Sequence, residues 1–193
     1  MHDVFEKIIQ DMIGNGFSVT ESFFEKEILI QLRLNLKQLL LDQEMIPAMV
    51  GRGSSKHLDH EVRSDVTHWM EGSLDKEKNY QENVEVLIEF LNRTCYSNIK
   101  ASEFYYIHYG IGNYYKKHKD AFKGEAGRQF SMITYLNDGW TAEDGGELVL
   151  FINGEEIIIL PEFGKTVIFK SDEIDHEVRP ALRPRMSITG WLK

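Results

Sequence analysis

Apolar side chains recur at helical spacing through the first half of the chain. Val4, Phe5, Ile8, Ile9, Met12 and Ile13 share one face of a helix that Asn15-Gly16 should end. Phe17–Val19 reads as a short extended piece, and Thr20 as the N-cap of a second helix carrying Phe23, Phe24, Ile28, Leu32, Leu36 and Leu39. Tyr80, Val84, Leu87, Ile88 and Leu91 predict a third. Between them, Met49 to Gly72 shows no clear period, holds the polar run GRGSSKHLDHEVRSD, and predicts a long loop. From Glu103 the pattern changes to short β-rich runs: FYYIHY, RQFSMITYL, ELVLFI, EEIIIL, KTVIF and RMSITGWL. Asn153-Gly154 marks a tight hairpin, and Pro161, Gly164 and Pro180 punctuate the others. Strands of this length with no helices between them predict a sandwich or jelly roll. The expected class is α+β, with N-terminal helices packed on one face of a C-terminal double-sheet barrel.

Composition narrows the class. The chain has 193 residues, 42% of them apolar, and 22 Lys and Arg against 31 Asp and Glu give a formal net charge of −9. That suits a single domain over residues 1–193 that needs no staple to fold. The acidic balance argues against nucleic-acid binding. No run of 18 apolar residues spans a membrane, and the charged N-terminus does not read as a signal peptide. The lone Cys95 excludes an intrachain disulfide, reads as a small buried side chain, and fits a reducing cytoplasm.

The chemistry gathers in the β half. In His118-Lys119-Asp120, after an extended run, positions i and i+2 would point to one side of a strand. His176 stands at the start of another expected strand, and two histidines with one carboxylate form the facial set of non-haem Fe(II) oxygenases. Three coordination positions would remain, two for a 2-oxo acid and one for dioxygen. Arg185, in the strand RMSITGW, would fork onto the distal carboxylate of 2-oxoglutarate. A second H-x-D, His57-Leu58-Asp59, lies in the polar stretch without matching partners and reads as solvated surface.

The blocks FYYIHYGIGNYYKKHKDAF, GRQFSMITYLNDGWTAEDGGELVLF and DHEVRPALRPRMSITGWLK resemble the 2-oxoglutarate/Fe(II)-dependent prolyl 4-hydroxylase family, particularly oxygen-sensing prolyl hydroxylases and their bacterial relatives. Val62-Arg63-Ser64-Asp65 with Trp69-Met70-Glu71-Gly72 resembles their mobile substrate loop, although Ser64 stands where the oxygen sensors usually have Gly. The resemblance implies His118, Asp120 and His176 as iron ligands, and Arg185 and Tyr135 as holders of the distal carboxylate. It implies Tyr109, Tyr115, Thr189 and Trp191 as walls of the cosubstrate pocket. Arg63 and Asp65 would serve the substrate; the plain alternative for that pair is an exposed ion pair. The implied activity is hydroxylation of a prolyl residue in an exposed loop of a partner protein, a translation factor being the favoured guess. Fe(II) and 2-oxoglutarate would be required, L-ascorbate would act as reductant, and succinate and CO2 would be coproducts. The implied division is helical support and substrate loop over residues 1–100, and a jelly-roll catalytic core over 101–193. An oxygenase for a free amino acid or other small molecule, and a non-catalytic ligand-sensing barrel, are the other readings. The oligomeric state is left open.

Overall fold

Alternating side chains on the central strands give the molecule two cores. The computed structural model describes residues 2–51, 56–121 and 127–193. Its helices are α1 His2–Asn15, α2 Lys26–Leu41 and α3 Asp75–Cys95. Its strands are β1 Phe17–Thr20, β2 Ile46–Pro47, β3 Val66–Trp69, β4 Ser102–Tyr109, β5 Tyr115–His118, β6 Phe130–Tyr135, β7 Leu148–Ile152, β8 Glu155–Ile159, β9 Thr166–Lys170, β10 Asp175–Val178 and β11 Arg185–Leu192. They form a seven-stranded sheet, β1-β9-β6-β11-β4-β3-β2, and a four-stranded sheet, β5-β10-β7-β8. Every pairing between named strands is antiparallel. This is the expected α+β jelly roll.

Successive residues on a strand face opposite sides, so parity sorts the large sheet. Phe104 and Tyr106 of β4, Met132 of β6, Ile168 of β9 and Ile188 and Leu192 of β11 pack against the helices. Tyr105, Ile107 and Tyr109, Ile133 and Tyr135, Val167 and Phe169, and Trp191 face the small sheet. The helices bury most of the faces their periodicity predicts: Phe5, Ile8 and Ile9 from α1, Leu32 and Leu36 from α2, where Leu29 joins them, and Tyr80, Val84, Leu87 and Leu91 from α3; Ile13, in the last turn of α1, is exposed. Gly16, at φ +79°, closes α1 by donating its N–H to Met12 O at 3.1 Å, which is why Asn15-Gly16 reads correctly as a stop. Both Asn153 (φ 51°) and Gly154 (φ 84°) adopt the left-handed region that the two-residue β7–β8 hairpin requires. Glu77, buried in the first turn of α3, accepts from Tyr106 Oη at 3.0 Å and Gly72 N at 3.2 Å, tying helix to sheet.

Several local expectations are corrected. Thr20 is no N-cap: it ends β1, paired with Thr166, and α2 begins at Lys26 after Phe23 and Phe24 have been buried. The Met49–Gly72 stretch is not simply a loop, because Val66–Trp69 forms β3 against β4; residues 52–55 lie outside the described residues. Cys95 is exposed at the end of α3 rather than buried. His118 is the last residue of β5, so Asp120 lies beyond the strand and i, i+2 parity does not place it.

Gly190 has less room for a side chain than any other described glycine. A Cβ there would stand 2.0 Å from Glu103 O and 2.4 Å from Phe104 Cδ1, backbone on one side and a buried ring on the other. Gly190→Ala is expected to cost about 3 kcal/mol or more by forced separation of β4 and β11, read as a lower denaturant midpoint in equilibrium unfolding.

Candidate active site

The inward row of β11 runs Arg185, Ser187, Thr189, Trp191; β6 offers Ser131, Ile133, Tyr135; β4 offers Tyr105, Ile107, Tyr109. Opposite them, β5 and β10 bring His118 and His176 into direct register. Their pairing then slips: His176 faces His118, but Val178 faces Tyr115, so β5 carries one extra residue. That bulge has a consequence. Residues three apart on a regular strand point to opposite sides, yet Tyr115 and His118 both face inward, their rings stacked at 3.6 Å and 16°. Tyr115, His118, Asp120, His176, Tyr109, Thr189, Arg185 and Arg63 line one cavity between the sheets, with Tyr105, Ile107, Ile133, Leu148 and Val178 as its apolar wall. A wider surface groove along Asn98, Lys100, Gln129, Lys170 and Lys193 holds none of the expected ligands.

His118, Asp120 and His176 present ligand atoms all within 4.8 Å of one another. Asp120 Oδ1 lies 3.7 Å from His118 Nε2, and Oδ2 lies 3.6 Å from His176 Nε2. Each imidazole turns its other nitrogen to a backbone carbonyl: His118 Nδ1 to Lys116 O at 2.7 Å, His176 Nδ1 to Ile174 O at 3.3 Å. A carbonyl can only accept, so Nδ1 carries a proton and Nε2 is left as the nitrogen that faces Asp120. Burial opposes the Asp120 charge, but His176, His118 and the Ser131 hydroxyl override it and hold the carboxyl far below its usual range. Burial and the neighbouring His118 push His176 down to about 4. His176 therefore stands as a neutral imidazole and Asp120 as a carboxylate, the forms that bind a divalent metal.

At the other end of the row, Arg185 is 1% exposed. Its Nε donates to Gly146 O at 2.8 Å, while Nη2 has no partner. The Tyr109 and Tyr135 rings each lie 5.0 Å from its guanidinium carbon. Among the described residues no carboxylate pairs with it. Tyr135 Oη and Ser187 Oγ are buried and unpartnered as well. Burial pushes the Tyr135 phenol up to about 12, so it stays protonated and can donate. The run from Tyr135 to Gly146 builds this cradle. Asn137 Oδ1 accepts from Met186 N at 2.7 Å, fixing the start of β11. Gly146 (φ +67°) passes so close that a Cβ would sit 3.2 Å from Arg185 Cδ. Three unsatisfied donors around a buried cation ask for an anion with several acceptor oxygens.

Other expected residues fall less simply. Arg63 and Asp65 are not an exposed ion pair: their side chains are 9% and 0% exposed, and Arg63 Nε donates to Asp65 Oδ1 at 2.8 Å. The Arg63 guanidinium lies 4.2 Å over the Tyr115 ring. Trp191 does not line the cavity. It lies on the same row but packs on Tyr105 at 5.3 Å, with the Arg128 guanidinium 3.3 Å over its ring. Sequence reasoning missed Ser131 and Ser187, although the parity of their strands with Tyr135 and Arg185 carried the signal.

Residues 104–193 match the model of the 2OG-Fe(II) oxygenase superfamily. That match runs from β4 to the end of the chain and is a likeness to that superfamily over just under half of the sequence. Human Egl nine homolog 1 is 30% identical over 200 residues, covering 96% of this chain and 46% of that protein, so the chain spans under half of that relative's length. A prolyl-4-hydroxylase from Pseudomonas putida is 28% identical, with a TM-score of 0.89 over 98% of both chains. A prolyl hydroxylase from Trichoplax adhaerens, solved with a hypoxia inducible factor oxygen degradation domain peptide fragment, shares the fold at TM-score 0.88 and 24% identity, over 98% of this chain and 89% of that one. The superfamily implies Fe(II) and 2-oxoglutarate, and the site fits both: a two-histidine, one-carboxylate donor set for the metal, and unsatisfied Arg185 and Tyr135 donors for a dicarboxylate.

Asp65→Ala would leave the Arg63 cation buried without its partner. The expected cost is about 3–5 kcal/mol, with Asp65→Asn intermediate, checked by urea unfolding of the metal-free protein. A loss under about 1 kcal/mol would show that the pair behaves as a surface one.

Proposed function

We propose that this oxygenase hydroxylates a prolyl residue in a protein substrate, using Fe(II) and 2-oxoglutarate and releasing succinate and CO2. One observation carries the reading: a buried Arg185 with an unpartnered Nη2, beside the unpartnered Tyr135 Oη, lining the same cavity as His118, Asp120 and His176. The full-length likeness to the Pseudomonas putida prolyl-4-hydroxylase supports the prolyl substrate.

In this reading His118 Nε2, His176 Nε2 and an Asp120 oxygen would hold the metal, which would supply the site for the cosubstrate and dioxygen. Arg185 Nη2 and Tyr135 Oη donate to the distal carboxylate of the cosubstrate, with Ser187 within the same row. Tyr109, Tyr115 and Thr189 shape the walls, and Trp191 backs them through Tyr105. The bound metal and cosubstrate supply the oxidising power: one oxygen atom of O2 enters the substrate C–H bond and the other enters succinate as CO2 leaves. The protein contributes orientation and the exclusion of water by its apolar wall. Arg63 and Asp65 serve the substrate side by setting the Tyr115 face, since the charge of each is committed to the other. L-ascorbate serves as reductant. The proposed partner presents a proline in an exposed loop, a translation factor in the cytoplasm being the first to assay. No helix of the described residues is long and apolar enough to cross a membrane.

Purified protein with Fe(II), 2-oxoglutarate and ascorbate should form succinate when given proline-containing peptides of translation factors. The peptide should gain one oxygen atom at proline by mass spectrometry. His176→Ala should abolish turnover, and Arg185→Ala should raise the KM for 2-oxoglutarate at least about 30-fold, the loss of one buried charge-assisted pair. Free proline hydroxylated as efficiently as peptide would overturn the protein-substrate reading. Unchanged 2-oxoglutarate dependence in Arg185→Ala would overturn the cosubstrate assignment.

A further inference from the structure

The β scaffold fixes two members of the donor set and leaves the third to something else. His118 and His176 sit on paired strands, in register. Asp120 lies two residues past the end of β5, yet its two oxygens must face two different imidazoles. What aims it comes from the other sheet. Ser131 Oγ, on the inward row of β6, donates to Asp120 Oδ2 at 2.6 Å. Ser171 Oγ, just past the end of β9, lies 2.8 Å from Ser131 Oγ. Both serines are fully buried.

The direction of this chain follows from its chemistry. An ionised carboxylate only accepts, so the single Ser131 proton is committed to Asp120. The Ser131–Ser171 contact must then be donated by Ser171. The backbone of Ser171 holds the same spot: Ala121 N donates to Ser171 O at 3.1 Å, and Ser171 N donates to Gln129 O at 3.0 Å. One residue thus fixes the peptide beside Asp120 directly and its carboxylate through Ser131.

We propose that Ser131 and Ser171 are positioning residues for the metal centre. Together they form a directed pair of hydroxyls that aims the Asp120 carboxylate and biases it toward offering a single oxygen. The proposal rests on the reading of His118, Asp120 and His176 as metal ligands. A hydrogen bond on Oδ2 occupies one of its lone pairs, which disfavours two-oxygen chelation and keeps the facing positions open. Two serines that merely satisfied each other would not require the shorter of the two contacts to fall on the carboxylate.

The test uses Co(II) alone, with the metal-free full chain. Isothermal titration should give saturable binding in wild type. In Ser131→Ala the affinity should be about 10–100-fold weaker, with a visible Co(II) absorption of altered shape as the carboxylate swings. Ser171→Ala should fall between the two. Thermal unfolding of each metal-free variant shows whether it is folded, and its midpoint should change little. Ser131→Ala binding Co(II) within about two-fold of wild type, with an unchanged spectrum, overturns the proposal. Should Ser131→Ala not fold, unchanged affinity in Ser171→Ala overturns it. No saturable binding in wild type would overturn the ligand set itself, a failure distinct from that of the serines.

Discussion

A guanidinium shut away from water, with no carboxylate of the described residues paired to it, is the constraint around which this barrel is arranged. Burying such a charge unpaired is costly, and a fold tolerates it only where something else gains. Arg185 is 1% exposed, and its surroundings supply one carbonyl and two aromatic rings. Everything near it preserves the shortfall. Gly146 gives it room and a carbonyl, Asn137 fixes the strand that carries it, and Tyr135 adds a second unsatisfied donor. In the proposed function a dicarboxylate answers that arrangement, and the donor set lining the same cavity gives the dicarboxylate a use.

The donor set is assembled by three different devices. Antiparallel register sets His118 against His176. A one-residue bulge in β5 turns Tyr115 inward beside His118, where a regular strand would have sent it out. A hydrogen bond from Ser131 on the opposite sheet helps hold Asp120, which no strand carries. Backbone carbonyls then select the tautomer of both histidines. The carbonyls are local, two residues from each histidine, but the register, the bulge and the Ser131 bond join separate strands, so the geometry cannot be read from the spacing of H-x-D.

The segment around Arg63–Asp65 shows the same dependence. Val62 O accepts from Lys116 N at 2.9 Å and Ser64 N donates to Tyr114 O at 3.2 Å, so this stretch is stitched along β5 before it enters β3. It joins the edges of the two sheets rather than standing apart as a loop. Arg63 and Asp65 are buried because they lie on that seam, and their charges turn to each other. Polar composition and the absence of a period made the stretch read as a loop. Burial at a seam between sheets leaves no such period.

Much was legible in the chain alone. Helical spacing located the apolar faces of α1, α2 and α3, the Asn153-Gly154 turn located a hairpin, and the period change near Glu103 marked where the run of consecutive strands begins, although β1, β2 and β3 join the large sheet from earlier in the chain. Chemistry-bearing residue types, His118, Asp120, His176 and Arg185, pointed to the proposed reaction class. These are local properties: side-chain periodicity and ligand identity follow from neighbours a few residues apart. Only the tertiary structure decided that β3 grows from an unpatterned stretch, that Trp191 backs the cavity instead of lining it, and that Ser131 reaches Asp120. It also decided which buried donors remain unsatisfied. Those outcomes depend on how one sheet closes over the other, where a register shift of one residue changes which side chains meet.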